Sequence, residues 1–228
     1  MKREYTSGLF TILLSIVILF IFVYPYTWMA VSSFKVNHEI YNPLILFPSQ
    51  FSTQYISDAL NGKYIDIKSA FFSSFFISLI QASGSVLISA STGFFLARYR
   101  FPGKQLLFIL SLTLIILPRQ ALSVPIFEWI NILKLSGGYS SVILPGFTSG
   151  IGIIFFMQVF KSIPKEYIDM ARIEGVSTHR TFLAFLPMIT PAMITYGVIH
   201  FILAWHDHLI PLLLLEDSKR TLPLALAT

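Results

Sequence analysis

Long runs without a charged side chain constrain this chain more than any other feature. Four of them cover residues 5–34, 69–97, 135–160 and 181–206, and they hold 30, 29, 26 and 26 residues. A helix needs about 20 mostly apolar residues to cross the hydrocarbon core of a bilayer. Each run is therefore long enough for a membrane span. A fifth stretch, 105–118, has only 14 residues and reaches that length only together with its neighbours.

The runs predict an all-α, polytopic membrane protein with a single transmembrane domain over residues 1–228. We expect five spans, near 9–31, 71–97, 104–125, 139–160 and 181–205. Composition agrees, because 55% of the residues are hydrophobic and only 12% are charged, whereas soluble domains carry about 25% charged residues. The first apolar stretch is too long for a cleaved signal peptide and is interrupted by Pro25.

The positive charges predict the orientation of the spans. With the N-terminus in the cytoplasm, the inner segments 1–8, 98–104 and 161–180 hold nine Lys and Arg in 35 residues. The longer outer segments hold seven. Cytoplasmic loops are the ones enriched in Lys and Arg, so we expect the N-terminus inside. A net charge of +5 placed in this way is typical of membrane topology, not of nucleic-acid binding.

Small residues and prolines mark where the helices pack or break. Ser85, Ser89, Gly93 and Ala97 repeat every four residues on one face of the second span, which indicates either a close packing face or a pore lining. Gly146 and Gly150 form a similar pair in the fourth span. Prolines at 118 and 125 interrupt the third, which can be either a pathway boundary or a hairpin at the membrane interface.

A short helix is predicted within the cytoplasmic segment 161–180. Pro164 suits a helix start, Gly175 suits a left-handed C-terminal cap, and Ser177 can cap the helix of the fifth span. The predicted helix has apolar side chains at Tyr167, Ile168, Ala171 and Ile173. The segment either connects two spans or docks to another protein.

Few residues in or near the spans can carry chemistry. Arg119, Glu128, His200 and Asp207 are candidates for a substrate path, because ionisable groups at that depth are costly. His200 can equally form a hydrogen bond between helices. The run 206–208 (His-Asp-His) is better explained as a polar helix end than as a metal site, and the chain has no cysteine. Since no Walker A sequence is present, this chain is predicted to bind no cofactor and to catalyse no reaction, so ATP is handled by another subunit.

The cytoplasmic segment resembles the EAA motif of the permease subunits of ABC importers. The motif positions read Asp169-Met170-Ala171, then Gly175, then Leu186-Pro187. The flanking sequences are similar to the carbohydrate-uptake branch, and most of all to the smaller permease of maltose-type systems. Further similar stretches lie at 28–35, 96–103, 142–145, 204–211 and 220–224.

The resemblance implies a six-span fold in a prokaryotic inner membrane, with the loop helix seated in a cytoplasmic ATPase. The residues that match the coupling positions are Glu166, Asp169, Met170, Ala171, Glu174 and Gly175. The implied partners are a second permease, an ATPase dimer that uses ATP and Mg²⁺, an extracytoplasmic solute-binding protein and membrane lipid. The implied activity is uptake of a sugar or related polyol.

The chain departs from the family pattern at three places. Asp169 and Met170 replace Glu and Ala, and eleven residues separate Gly175 from Pro187, one fewer than this branch has. Thr228 follows only five predicted spans, so we expect a shortened or incompletely recorded chain. A secondary transporter or channel, and a permease-derived assembly protein, are the alternative functions.

Overall fold

The structure is a computed structural model that describes residues 2–42 and 45–227. The remaining positions of the predicted domain, residues 1, 43, 44 and 228, lie outside this description. The described residues form helices and connecting turns with no β-strand, which confirms the all-α fold. In chain order the helices are α1 (Lys2–Ser32), α2 (Asn37–Ile40), α3 (Gln54–Leu60), α4 (Ile67–Arg98), α5 (Lys104–Ile116), α6 (Arg119–Ile132), α7 (Tyr139–Gly146), α8 (Gly150–Ser162), α9 (Lys165–Ile173), α10 (Thr178–Trp205), α11 (Leu209–Leu214) and α12 (Leu222–Ala227).

Three described helices are continuous and apolar over a length that can cross a bilayer, namely α4, α10 and the part of α1 from Thr11 to Ser32. Two further pairs reach that length only together: α5 with α6, which meet at 113°, and α7 with α8, which meet at 41°. The count is therefore three spans, or five if each bent pair is one span.

The stretch predicted as the third span, 104–125, is divided at Pro118. Helix α5 ends at Ile116, and Leu117 has an extended backbone (φ −72°, ψ 124°), as expected of a residue that precedes proline. With 13 residues, α5 spans about 20 Å at 1.5 Å per residue, less than the roughly 30 Å hydrocarbon core. Helix α6 then leaves this axis at the 113° bend and carries Pro125 inside it.

The chain divides into two compact units, one up to Asp66 and one from Ile67 onward. In the first unit the side chain of Lys35 is fully buried. Its ammonium donates to the carbonyl oxygen of Ile45 and lies 5.3 Å from the ring centroid of Trp28. The backbone N–H and the hydroxyl of Ser49 both donate to the Glu39 carboxylate. The hydroxyl hydrogen bond is the main cause that lowers the pKa of Glu39.

In the second unit α4 is the central helix, and α8 and α10 pack against it. Ser85 and Ser89 are fully buried, and Gly93 lies so close to α8 that a Cβ there would come within 2.7 Å of the Met157 backbone nitrogen. The packing interpretation of this small-residue face is therefore confirmed. Around it, the buried ring of Phe94 contacts the rings of α8 and α10, with centroids 5.1 Å from Phe160 and 5.4 Å from Phe182.

The glycine pair of the predicted fourth span does not form one packing face. A Cβ at Gly146 would meet Gln81 of α4 at 2.2 Å, whereas one at Gly150 would meet the Ser111 carbonyl oxygen of α5 at 2.2 Å. The bend between α7 and α8 separates the two glycines, and the hydroxyl of Ser149 begins α8 by accepting from the Gly152 N–H at 3.2 Å. The two residues consequently serve two different helix contacts.

Candidate functional site

The segment 163–177 forms a short helix with defined ends. Helix α9 begins after Pro164 and ends at Ile173, and Gly175 follows with φ +71°. The N–H of Val176 donates to Ala171 (2.9 Å) and the N–H of Gly175 donates to Arg172 (3.1 Å). These two hydrogen bonds define a Schellman cap, so the predicted left-handed glycine cap is confirmed.

Ser177 holds the expected position before α10, but its side chain makes no capping hydrogen bond. Its carbonyl oxygen instead accepts from the N–H and the hydroxyl of Thr181. The prediction of a Ser177 side-chain cap is therefore wrong. The threonine one turn later supplies the polar contact at this helix start.

The outer face of α9 is apolar at its centre and acidic around it. Tyr167, Met170 and Ile173 are 52%, 56% and 86% exposed, and at a spacing of three residues they lie along one side of the helix. Of the residues matched to the coupling motif, Ala171 is half-buried and the rest are exposed, namely Glu166, Asp169, Met170, Glu174 and Gly175.

The inner face of α9 is attached to the ends of two long helices. Ile168 is buried beside Phe160 of α8 and Phe182 of α10. Of the apolar side chains predicted on this helix, Ile168 is thus covered by α8 and α10 of the same chain. The outward side chains of Tyr167 and Ile173 stay uncovered within the described chain.

Arg98 joins α4 to the start of this segment, a role that sequence reasoning missed. Its guanidinium donates to the carbonyl oxygens of Phe160 and Ile163, which satisfies the end of α8 just before α9 begins. On α9, the guanidinium of Arg172 lies 5.3 Å from the Tyr99 ring centroid. The sequence 98–100 (Arg-Tyr-Arg) showed only positive charge, because carbonyl partners 62 and 65 residues away leave no local pattern.

Arg119 and Asp207 are the two substrate-path candidates that the structure brings together. Arg119 begins α6 at the corner made by Pro118, and its guanidinium lies 3.4 Å from the Asp207 carboxylate. Asp207 is mostly shielded and also accepts from the N–H of Ile210 at the start of α11. Glu128 lies elsewhere, on an exposed face of α6.

His200 is buried and joins α10 to α7. Its Nε2 lies 3.0 Å from the carbonyl oxygen of Gly146, which can only accept, so Nε2 carries the proton. In the neutral ring Nδ1 then accepts from the Tyr196 hydroxyl at 3.2 Å. That hydroxyl in turn accepts from Ser85 at 3.0 Å. The interhelical hydrogen-bond interpretation of His200 is what this geometry supports.

No group of three or more metal-ligating side chains is found in the part of the chain that the structure describes. Within the run 206–208, the ring of His206 donates from Nδ1 to the Ile202 carbonyl (2.8 Å), and Asp207 faces Arg119. These contacts fit a polar helix end. Sequence reasoning also missed Gln81, a buried α4 amide that donates to the Val142 carbonyl oxygen of α7 at 2.9 Å.

Comparison with known proteins identifies the family. The model of the binding-protein-dependent transport system inner membrane component matches residues 89–228. The arabinooligosaccharides transport system permease protein AraQ of Halalkalibacterium halodurans is 32% identical over all of this chain and 84% of its own. This chain therefore belongs to the family of binding-protein-dependent transport system inner membrane components. The permease is also 28% identical to the sn-glycerol-3-phosphate transport system permease protein UgpE of Rhizobium meliloti, over 96% of this chain and 80% of the relative.

A solved structure has the same fold as this permease. It is the crystal structure of a bacterial ABC transporter involved in the import of the acidic polysaccharide alginate, with a TM-score of 0.85 over 99% of this chain and 80% of the other. At 16% identity the likeness is one of fold. Together these matches confirm the resemblance to ABC-importer permeases of the sugar branch. They show that this chain is a multi-pass membrane subunit of a larger transporter.

Proposed function

We propose that this permease is a transmembrane subunit of an ATP-driven importer for a sugar or related polyol. Helix α9 is the element that receives the motion of a cytoplasmic ATPase. ATP and Mg²⁺ are bound and used by that ATPase, not by this chain. The N-terminus and the segment 161–180 then lie in the cytoplasm, in keeping with the enrichment of Lys and Arg in these segments.

The observation that carries this proposal is the outer face of α9. Three exposed apolar side chains, Tyr167, Met170 and Ile173, lie among the carboxylates of Glu166, Asp169 and Glu174. An apolar centre with a polar rim is the usual make-up of a protein-binding surface. A short helix that presents such a face fits a groove in a partner.

The inner attachments of α9 support the transmission of motion to the spans. Arg98 links the end of α4 to the turn before α9, and the buried Ile168 sits among side chains of α8 and α10. Only four residues, 174–177, separate α9 from α10, and the Gly175 cap gives this turn one defined shape. A displacement of α9 is therefore expected to move the ends of these long helices as well.

We place the substrate path next to the corner between α5 and α6. The Arg119–Asp207 pair supplies donors and an acceptor that suit hydroxyl groups. Glu128 lies on a different, exposed face of α6 and His200 is held between helices by the Gly146 carbonyl, so the proposed path includes neither. The proposed substrate class follows the relatives, whose names refer to arabinooligosaccharides and sn-glycerol-3-phosphate. The partners proposed are a second permease, two ATPase copies and an extracytoplasmic binding protein.

The experiment measures ATPase retention and uptake in variants of the outer face. Ile173→Ser and Glu166→Lys should lower copurification of the ATPase in mild detergent by about 10-fold or more, because a loss of about 1.4 kcal/mol in contact free energy has that effect. Uptake of labelled sugar should fall in parallel. The matched control is Ile132→Ser, which alters a side chain 69% exposed on α6 and should change neither quantity.

Two results would contradict the proposal. One is full uptake by both variants in cells whose protein level equals that of the wild type. The other is uptake that persists after ATP depletion and collapses with an ion gradient, which is the behaviour of a secondary transporter.

A further inference from the structure

A cationic cavity of about 310 Å³ lies at the ends of the long helices, beside α9. Its walls come from the last turn of α4, the link 99–103, the first residue of α5 and the inner side of α9. The end of α8 and the start of α10 lie close together there, since the ring centroids of Phe160 and Phe182 are 6.3 Å apart. Since the ends of spans mark the membrane surface, the cavity lies at the height of lipid headgroups. Its lining residues include five cations and one carboxylate: Arg98, Arg100, Lys104, Lys165, Arg172 and Asp169.

Three of these cations already have partners within the chain. Arg98 is bonded to carbonyl oxygens of α8 and its end, Lys104 donates to the Tyr99 carbonyl oxygen at 2.9 Å, and Arg172 faces Asp169 at 3.7 Å. Asp169, the one carboxylate among these lining residues, is therefore already paired with Arg172 and does not neutralise the other cations.

Arg100 and Lys165 are different, because neither side chain has an ion pair or hydrogen bond with any residue that the structure describes. Both are exposed. Lys165 also occupies the first position of α9, where the positive end of the helix dipole opposes a cation. The stability of α9 therefore does not explain a lysine at this place. An anion in the cavity would be attracted to both side chains.

Two largely apolar cavities, of about 520 and 890 Å³, adjoin the cationic one. The smaller shares Ala97 and Lys104 with it, and the larger shares Tyr99 and Arg100. Phe101 lines both apolar cavities. They extend back along α4, on one side towards α5 and α8 and on the other towards α5 and α10. The cationic cavity and the two apolar cavities thus adjoin one another around residues 97–104.

We propose that this arrangement is a binding site for one anionic phospholipid. The cationic cavity holds the phosphate of the headgroup, and the two apolar cavities hold its acyl chains. Arginine side chains suit phosphate because they donate several parallel hydrogen bonds, and basic pockets between helices at the cytoplasmic surface bind such headgroups. The cytoplasmic excess of Lys and Arg explains how many cations are present. An anionic lipid accounts for their convergence on one cavity beside two apolar ones.

The test uses the full chain purified in mild detergent and examined by native mass spectrometry with phosphatidylglycerol or phosphatidylcholine. Phosphatidylglycerol should remain bound at one molecule per chain, and phosphatidylcholine should not. Arg100→Gln with Lys165→Gln should lower retention of phosphatidylglycerol by about 10-fold or more, because each basic residue near an anionic headgroup contributes a factor of about five. Arg180→Gln is the matched control: it removes an exposed charge from the start of α10 that lines none of these cavities, and it should leave retention unchanged.

Several outcomes would overturn the proposal. Equal retention of the two lipids, or an Arg180→Gln effect as large as that of the double variant, would mean general attraction by charge. Thermal stabilisation by inorganic phosphate alone, equal to that by phosphatidylglycerol, would assign the cavity to a soluble phosphate compound. Loss of ATPase copurification with unchanged lipid retention would assign the two cations to the ATPase contact. If the double variant does not purify, each single variant is measured instead, and unchanged retention in both would also contradict the lipid site.

Discussion

Gly175 is the residue whose backbone most clearly limits what can replace it. Its φ of +71° is left-handed, and a Cβ there would meet no atom within 4 Å. The cost of Gly175→Ala therefore comes from backbone conformation alone and is about 1 kcal/mol. We expect the Val176 amide, which bonds to Ala171, to exchange hydrogen about five-fold faster in this variant. Amide exchange followed by mass spectrometry measures that rate.

Two comparison variants separate conformation from loss of glycine as such. Gly175→Asn should exchange more slowly than Gly175→Ala, because Asn tolerates the left-handed region. Gly138→Ala should have no effect, since Gly138 has a φ of −100° and its nearest atom would lie at an ordinary 3.5 Å. Equal exchange in wild type and Gly175→Ala would contradict the cap.

Single residues differ in how far the sequence could predict them. The Gly175 cap could be predicted, because every group involved lies within six residues. For His200 the sequence left two interpretations open, and only the position of the Gly146 carbonyl 3.0 Å from Nε2 favours the structural one. Arg98 and Gln81 were missed because their partners are backbone carbonyls on other helices, and any residue type can supply a carbonyl.

At the scale of the element, the contact between α4 and α8 depends on Gly93. A Cβ at this position would lie 2.7 Å from the Met157 backbone nitrogen and 2.8 Å from the Phe156 Cβ. Neither atom can move without its helix, so Gly93→Ala should force the helices apart. Overpacking of this kind costs about 1–3 kcal/mol. We expect a lower thermal unfolding temperature in detergent, measured by intrinsic fluorescence.

Gly197→Ala is the matched control on α10. Its added Cβ would lie 3.5 Å from the Val86 Cγ2, an ordinary contact, and alanine favours helix over glycine by about 1 kcal/mol. This variant should be as stable as the wild type or more so. If Gly93→Ala and Gly197→Ala behave alike, close approach at Gly93 is not what holds the two helices together.

The sequence predicts where the spans lie and where one of them breaks, but not the angles between their helices. A run without charge predicts that a helix crosses the membrane, and Pro118 predicts that one of them breaks. Neither feature determines the 113° bend after α5 or the 41° bend after α7, because the helices on either side of each bend pack on other elements: α5 on α8 and α6 on α11, and α7 and α8 on α4. The break near Ser149 separates Gly146 from Gly150, so two glycines with regular spacing contact two different helices, α4 and α5.

At the scale of the whole molecule, the charge distribution determines which end of the second unit meets which partner. The Lys and Arg near α9 include the cations of the proposed lipid cavity, and the outer face of α9 is the proposed ATPase contact. The proposed substrate path, with Arg119 and Asp207, lies instead at the opposite ends of the bundle helices, after α5 and after α10. The proposed ATPase contact and the proposed lipid site at the cytoplasmic surface both require α9 to lie in the cytoplasm.

Cysteine labelling tests that orientation directly, because residues 1–228 contain no cysteine and therefore give no background. Tyr41→Cys and Ile173→Cys replace side chains that are 88% and 86% exposed. With the N-terminus inside, a membrane-impermeant maleimide should label Tyr41→Cys in intact cells and Ile173→Cys only after permeabilisation. Ala90→Cys, at a fully buried position, should stay unlabelled in both conditions. Labelling of Ile173→Cys in intact cells would place α9 outside, away from any cytoplasmic ATPase, and would overturn the proposed mechanism of coupling.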